Sequence, residues 1–360
     1  MDVSTLAEKI LQGGRISVTE GLFLHENANL ATLAFLADDI RRKKHPEGQV
    51  TYIVDRNINP TNICVADCTF CSFYAKPKDE EKGYVLSQAA IFGKIQETVD
   101  LGGIQILLQN GHHPTLGVAW FEELFQAILI KWPDLHLHAM SPPEILHLSK
   151  VSKIDTLDVL TRLQKAGMKS MPGGGAEILT ERVRQIIAPR KADSNTWLNI
   201  MEEAHSLGML TTATMMFGHV DTPVDRLEHL QRIREVQDRT QGFTAFIGWT
   251  FQPGGNPLGE ELSAKGWHKA THADYFRTTA VARIFLDNFD NVQASFVTQG
   301  SDAAALSLHL GCNDFGSAML EENVVSAAGC FELIGIEDIE NQIVNAGFTP
   351  ARRNQAYDLV

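Results

Sequence analysis

Short apolar runs alternate along the chain with longer stretches whose apolar residues recur every three to four positions, a rhythm of strands and amphipathic helices. Residues 51–54, 104–108, 135–140, 169–171, 210–217, 243–251 and 291–298 read as strands, and 304–310 is a weaker eighth run. Helical stripes at 121–130, 195–207 and 224–239 lie between them. Residues 1–49 carry two helical patterns of their own. One opens on the capping-box spacing Ser17-Val18-Thr19-Glu20, and the other is striped by Leu30, Leu33, Leu36, Ala37 and Ile40. Strand and helix alternating about eight times predicts an α/β fold, a closed (β/α)8 barrel over residues 50–310. The helical segment 1–49 precedes it, and a helical extension over 311–360 is expected to pack on it.

In such barrels chemistry sits at the C-terminal ends of the strands. The loop after the first strand, Cys64-Val65-Ala66-Asp67-Cys68-Thr69-Phe70-Cys71, therefore faces the active side. Its Cys-x3-Cys-x2-Cys spacing gathers three thiolates, enough to hold three irons of a cubane cluster and leave the fourth iron without a protein ligand. An open iron can chelate the amino and carboxylate groups of S-adenosylmethionine (SAM). Structural zinc normally needs a fourth Cys or His, and the nearest histidines, His45 and His112, are far along the chain. Five cysteines in 360 residues are too sparse, and odd in number, for a disulfide framework. Cys312 and Cys330 read as small apolar core residues.

Charge narrows the partners. Acidic residues outnumber basic ones 44 to 31, a net charge of −13, which disfavours nucleic acid and anionic membrane. The one basic run, Arg41-Arg42-Lys43-Lys44, closes a helix, where cations suit the dipole. The start lacks a signal-peptide pattern, and no run approaches the ~20 apolar residues of a membrane span. A cytoplasmic protein in a reducing compartment is expected.

Further candidates follow the strands. Gln109-Asn110-Gly111 ends the second, and Gly111 permits a ligand close to the backbone. Met171-Pro172-Gly173-Gly174-Gly175-Ala176-Glu177 carries a large conformational-entropy cost that close packing or a ligand must offset, with the Glu177 carboxylate beside it able to accept ribose hydroxyls. His136 and His138 share one face of the third strand, as lumen groups or buried structural histidines. Asp314 and Glu321 follow the expected last strand and offer carboxylates as proton acceptors, although Glu321-Glu322 also fits a solvated helix face.

The cysteine loop resembles the Cys-x3-Cys-x-aromatic-Cys signature of the radical SAM enzymes. Over nearly the whole chain the sequence is similar to their dehypoxanthine futalosine cyclase branch, which serves the futalosine route to menaquinone. Ser141-Pro142-Pro143-Glu144, Pro172-Gly173-Gly174-Gly175-Ala176-Glu177, Trp249-Thr250-Phe251-Gln252-Pro253 and Asn313-Asp314-Phe315-Gly316 carry that likeness. Asn110-Gly111-His112-His113-Pro114 departs from the expected Gly-Gly turn. Sister branches are the aminofutalosine synthases and the deazaflavin-precursor synthases. A zinc-stabilised barrel that binds without reacting is the non-enzymatic alternative.

The resemblance implies a [4Fe-4S] cluster on Cys64, Cys68 and Cys71, with SAM as the second cofactor. It implies dehypoxanthine futalosine as substrate and an electron donor such as a flavodoxin or ferredoxin. Reductive cleavage of SAM gives a 5′-deoxyadenosyl radical that takes the ribose C4′ hydrogen; the carbon radical then adds to the adjacent aromatic ring, and loss of a proton and an electron gives the cyclic product. By position, Phe70, Phe217 and Gly218 would face adenine, Gln109 to Gly111 the methionine end, and Glu177 the ribose. Loss of the ring proton calls for a base, for which His138 is favoured by its imidazole and Asp314 and Glu321 are the other candidates.

Overall fold

Eight parallel strands close into a barrel in this computed structural model, which describes residues 1–331 and 334–360. They are β1 (Gln49–Ile58), β2 (Gln105–Leu108), β3 (His136–Ala139), β4 (Met168–Met171), β5 (Leu210–Phe217), β6 (Phe243–Thr250), β7 (Asn291–Gln293) and β8 (Asp314–Met319). Each pairs with the next, and β1 pairs with both β8 and β2, which closes the ring. The register Asp55↔Gln105↔His136 and Asn57↔Leu107↔His138 puts these side chains in successive layers of the lumen. Alternate positions of β1 point outward: Tyr52 bonds Glu340, and Arg56 bonds Glu97.

The eighth strand lies elsewhere than the apolar pattern predicts. Residues 304–310 belong to a helix, Ser301–Ser307, and a 3-10 turn, Leu308–Leu310. Ala303, Ala304, Ser307 and Leu308 are its buried positions, a helical spacing built on good helix formers. The true strand, Asp-Phe-Gly-Ser-Ala-Met, is masked because its lumen face is polar: Asp314 and Ser317 both bond inward. β7 likewise stops at Gln293, and Phe296–Gln299 is helical. The barrel therefore runs past residue 310, and the C-terminal part is not mainly helical. Among the described residues it holds β8, a 3-10 turn (Ser326–Ala328), an α-helix (Ile336–Asn345) and a ninth strand, β9 (Thr349–Arg352), which pairs with Gln49 to Tyr52 of β1 below β2.

Three helices, not two, precede the barrel: α1 (Val3–Leu11), α2 (Val18–Asn27) and α3 (Leu30–Lys44). Ser17 and Glu20 form the anticipated capping box on α2. α1 escapes notice because it buries only Leu6 and Ile10. Among the described residues, no helix is long and apolar enough to cross a membrane.

Candidate active site

The cysteine loop leaves β1 at the C-terminal mouth of the barrel and is tied down on several sides. Cys64 N–H donates to Ala75 O at 2.9 Å, Val65 N–H to His112 O at 3.1 Å, and Thr69 N–H to Ile187 O at 2.9 Å. Asp67 adopts φ 52°, a left-handed conformation that few side chains tolerate, and Tyr74 O–H holds its carboxylate at 2.6 Å. Met140 (φ 65°), just after β3, and Glu177 (φ 45°), after β4, share that conformation. Three such non-glycine residues in loops at one barrel mouth mark a site where the backbone is held against its preference.

The donor set suits a cluster. Burial pushes the Cys68 thiol up to about 12 and raises Cys71, so their thiolates require strong cationic compensation there. Part of it is built in. Lys191 reaches in from the loop after the helix Glu181–Ile187, bonds Glu177 at 2.9 Å and lies 5.2 Å over the Phe70 ring. Burial alone would lower its ammonium, but Cys68 as a thiolate and the Glu177 carboxylate outweigh it and hold Lys191 protonated. Burial likewise pushes Glu177 up, and Lys191 and Arg184 outweigh it, keeping the carboxylate ionised. Cluster irons would supply the remaining positive charge at the sulfurs.

The glycine run packs against protein. A Cβ at Gly173 would meet Thr212 O at 2.4 Å, one at Gly174 the Gln109 amide at 2.3 Å, and one at Gly175 the Pro143 ring at 2.4 Å. This draws the β4 loop against the β2 and β3 loops and sets Glu177 beside Lys191. Gly111 is squeezed in the same way: a Cβ there would meet Ile63 O at 2.4 Å. The neighbouring Asn110 N–H donates to Glu144 at 2.7 Å, and Ser141 O–H donates to the other Glu144 oxygen. Burial raises the Glu144 carboxyl to about 7. In this chain a buried carboxyl therefore braces the Gln109–Gly111 turn.

Other expected residues sit differently. The Phe217 ring is buried under Arg226, at 4.7 Å, and its carbonyl accepts from Phe251 N–H; Gly218 N–H donates to Asp221. His138 is buried in the lumen, where Ser170 Oγ bridges His138 Nδ1 at 2.6 Å and His136 Nε2 at 2.7 Å. Burial lowers His138 well below the usual imidazole range, so it is neutral rather than poised near its ordinary value. His112, in the turn that follows β2, is buried and stacked on His147.

Asp314 is not beyond the last strand but opens it. It pairs with Thr51, seven residues before the end of β1, or about 23 Å of strand at ~3.3 Å per residue. Arg353 grips both its oxygens, and Thr51 O–H donates at 2.6 Å, so it closes the barrel floor. Glu321 is at the mouth, but Arg56, Lys94 and Asn323 occupy both its oxygens and, against burial, lower its carboxyl. It is a bridge, neither a free base nor a solvated helix face. The roles of Lys191, Glu144 and Ser170 were missed: single polar residues in a loop, in the first turn of the helix Pro142–Ser152 and in a short strand carry no pattern until the fold gathers them.

Two family models match the chain, Radical SAM superfamily over residues 58–233 and CofH/MqnC C-terminal region over residues 240–360. A cyclic dehypoxanthine futalosine synthase of Streptomyces coelicolor is 45% identical over 99% of this chain and 88% of its own length. The chain belongs to the radical SAM superfamily. Its resident cofactors are accordingly a [4Fe-4S] cluster and SAM, and the chain is an enzyme that uses them. A second cyclic dehypoxanthine futalosine synthase, from Halalkalibacterium halodurans, is 41% identical over 100% of this chain and 95% of its own length. Methylornithine synthase shares the fold, with a TM-score of 0.74 at 18% identity, covering 96% of this chain and 97% of that one.

Proposed function

We propose that this radical SAM enzyme converts dehypoxanthine futalosine to its cyclic form, a carbon–carbon bond-forming step toward menaquinone. The observation that carries the reading is likeness to two enzymes of that name along essentially the whole chain, at 45% and 41% identity. When bound and reduced by a carrier such as a flavodoxin or ferredoxin, cluster and SAM supply a 5′-deoxyadenosyl radical that takes the ribose C4′ hydrogen. The chain's part is to hold the reacting atoms in register and to exclude water. Cys64, Cys68 and Cys71 hold the cluster, Gln109 to Gly111 receive the methionine end of SAM, and Glu177 the ribose hydroxyls.

His138 is the proposed acceptor for the ring proton. The Ser170 hydroxyl has a single proton for two imidazoles. If it donates to His136 Nε2 it accepts from His138 Nδ1–H, and the His138 Nε2 lone pair is then free. His138→Ala is expected to slow cyclisation ~10²–10⁴-fold with cluster content intact, while 5′-deoxyadenosine release continues, because hydrogen abstraction precedes proton loss. Unchanged turnover in the variant would remove His138 from the mechanism.

The function itself is tested with anaerobically reconstituted protein, SAM and reductant. Dehypoxanthine futalosine should yield the cyclic product and free 5′-deoxyadenosine. An enol-ether chorismate derivative that instead incorporated the adenosyl group would identify the aminofutalosine synthase reaction.

A further inference from the structure

Between β4 and β5, residues 175–192 form an excursion of loop, short helix and loop. Glu177 stands near its entry and Lys191 near its exit. On the helix Glu181–Ile187 between them, Arg184 is 2% exposed, a depth that arginine almost never reaches unless its donors are met. Its guanidinium forks across the neck of the excursion. On the entry side Nη1 donates to Ala176 O at 2.6 Å and to Gly175 O at 3.2 Å. On the exit side Nε donates to Ala192 O at 3.0 Å, and Nη2 donates to the same oxygen.

The clamped carbonyls are those of the residues next to the mouth pair. Ala176 precedes Glu177, and Ala192 follows Lys191, so the fork fixes the two stems whose side chains meet at 2.9 Å. Glu177 needs such a hold, because its left-handed backbone is not one it would keep unaided. The far end of the same helix docks on the cysteine loop, where Ile187 O accepts Thr69 N–H at 2.9 Å and Thr69 O–H at 3.1 Å. One guanidinium thereby sets the glycine run, Lys191 and the cysteine loop relative to one another.

A clasp that served stability alone would not call for a charge here. Among the described residues no carboxylate bonds Arg184, and its bonds all go to carbonyl oxygens. A buried cation without a bonded counter-ion is costly. Burial pushes the guanidinium down, and Glu177 is the foremost charge that pulls it back.

We propose that Arg184 is a positioning residue for SAM, its fork holding Glu177 and Lys191 in the register that presents the Glu177 carboxylate to the ribose hydroxyls. Planarity matters, since a lysine ammonium is a point donor that cannot span both sides of the neck. The assignment rests on the reading of Glu177 as the ribose contact and requires nothing of the later cyclisation.

The test is a double-mutant cycle on SAM affinity, measured by equilibrium dialysis on reconstituted holoenzyme without reductant, so that SAM stays intact. Arg184→Lys should weaken SAM about tenfold, as should Glu177→Gln. The double variant should bind no more weakly than Glu177→Gln alone, because Arg184 acts through Glu177. A residue that merely stabilised the fold would add its own loss, for about a hundredfold in the double variant. Arg184→Gln, which buries no charge, is carried through the same cycle, and iron content establishes that each variant is assembled. Wild-type SAM affinity in an assembled Arg184 variant, or additive losses, would overturn the proposal and leave the Glu177 reading standing. Failure of both Arg184 variants to take up iron would make Arg184 a structural clasp and would also overturn it. Unchanged affinity in Glu177→Gln would remove the ribose contact itself, and the proposal with it.

Discussion

Two buried ion pairs stand at opposite ends of the barrel, and they do different work. On the floor, the Arg353 guanidinium takes both oxygens of Asp314, whose side chain is fully buried, while Thr51 completes the shell and the Tyr357 ring lies 4.0 Å from the guanidinium. At the mouth, Lys191 meets Glu177 through a single 2.9 Å contact, on a backbone held left-handed, with the cysteine sulfurs close by. The floor pair has every polar atom satisfied by protein and joins β1, β8 and the C-terminal segment. The mouth pair keeps capacity in reserve beside the cluster loop. A bidentate, shape-matched pair suits permanent closure; a point charge on a flexible stem suits a place where a ligand must enter.

The largest effect that would separate the two is on stability. Arg353→Met strands a buried carboxylate and should cost about 3–5 kcal/mol, read as a lower denaturation midpoint, with SAM affinity of the surviving folded fraction unchanged. Little loss of stability would mean that the floor pair is not closing the barrel. Glu177→Gln should do the reverse, weakening SAM about tenfold, or ~1.4 kcal/mol, while the thermal midpoint moves little. A variant that binds SAM like wild type but melts early would make the mouth pair a second structural clasp.

A further effect concerns pH. The Glu144 carboxyl is raised to about 7 in the fold, above its ordinary 4.5. A raised carboxyl stabilises the fold fully below the unfolded value, and that contribution is lost as pH rises through the folded value. Denaturation midpoints measured between pH 4.5 and 8 should therefore fall with pH more steeply in wild type than in Glu144→Gln. Parallel curves would mean that Glu144 titrates normally.

The barrel rhythm was readable because parallel strands buried on both faces leave continuous apolar runs. The alternation of His136 and His138 put both on one face, since a strand's period is two, and the barrel register identifies that face as the lumen. β8 was hidden by its own lumen chemistry, and that one slip moved Asp314 from the floor to the mouth and made a closing carboxylate look like a base. The entropic cost of the glycine run, which close packing or a ligand must offset, is met by close packing against the backbone of β5 and the neighbouring side chains. Lys191 left no trace in the sequence: a lone lysine in a loop after a short helix becomes informative only when Glu177 and Phe70 are seen beside it.

The central claim is that this mouth directs a radical to one ribose hydrogen and then closes a ring. It is tested most directly with dehypoxanthine futalosine deuterated at C4′ and analysis of the released nucleoside. The account predicts one deuterium in 5′-deoxyadenosine for each cyclic product formed. Unlabelled 5′-deoxyadenosine, or adenosyl carbon recovered in the product, would contradict it.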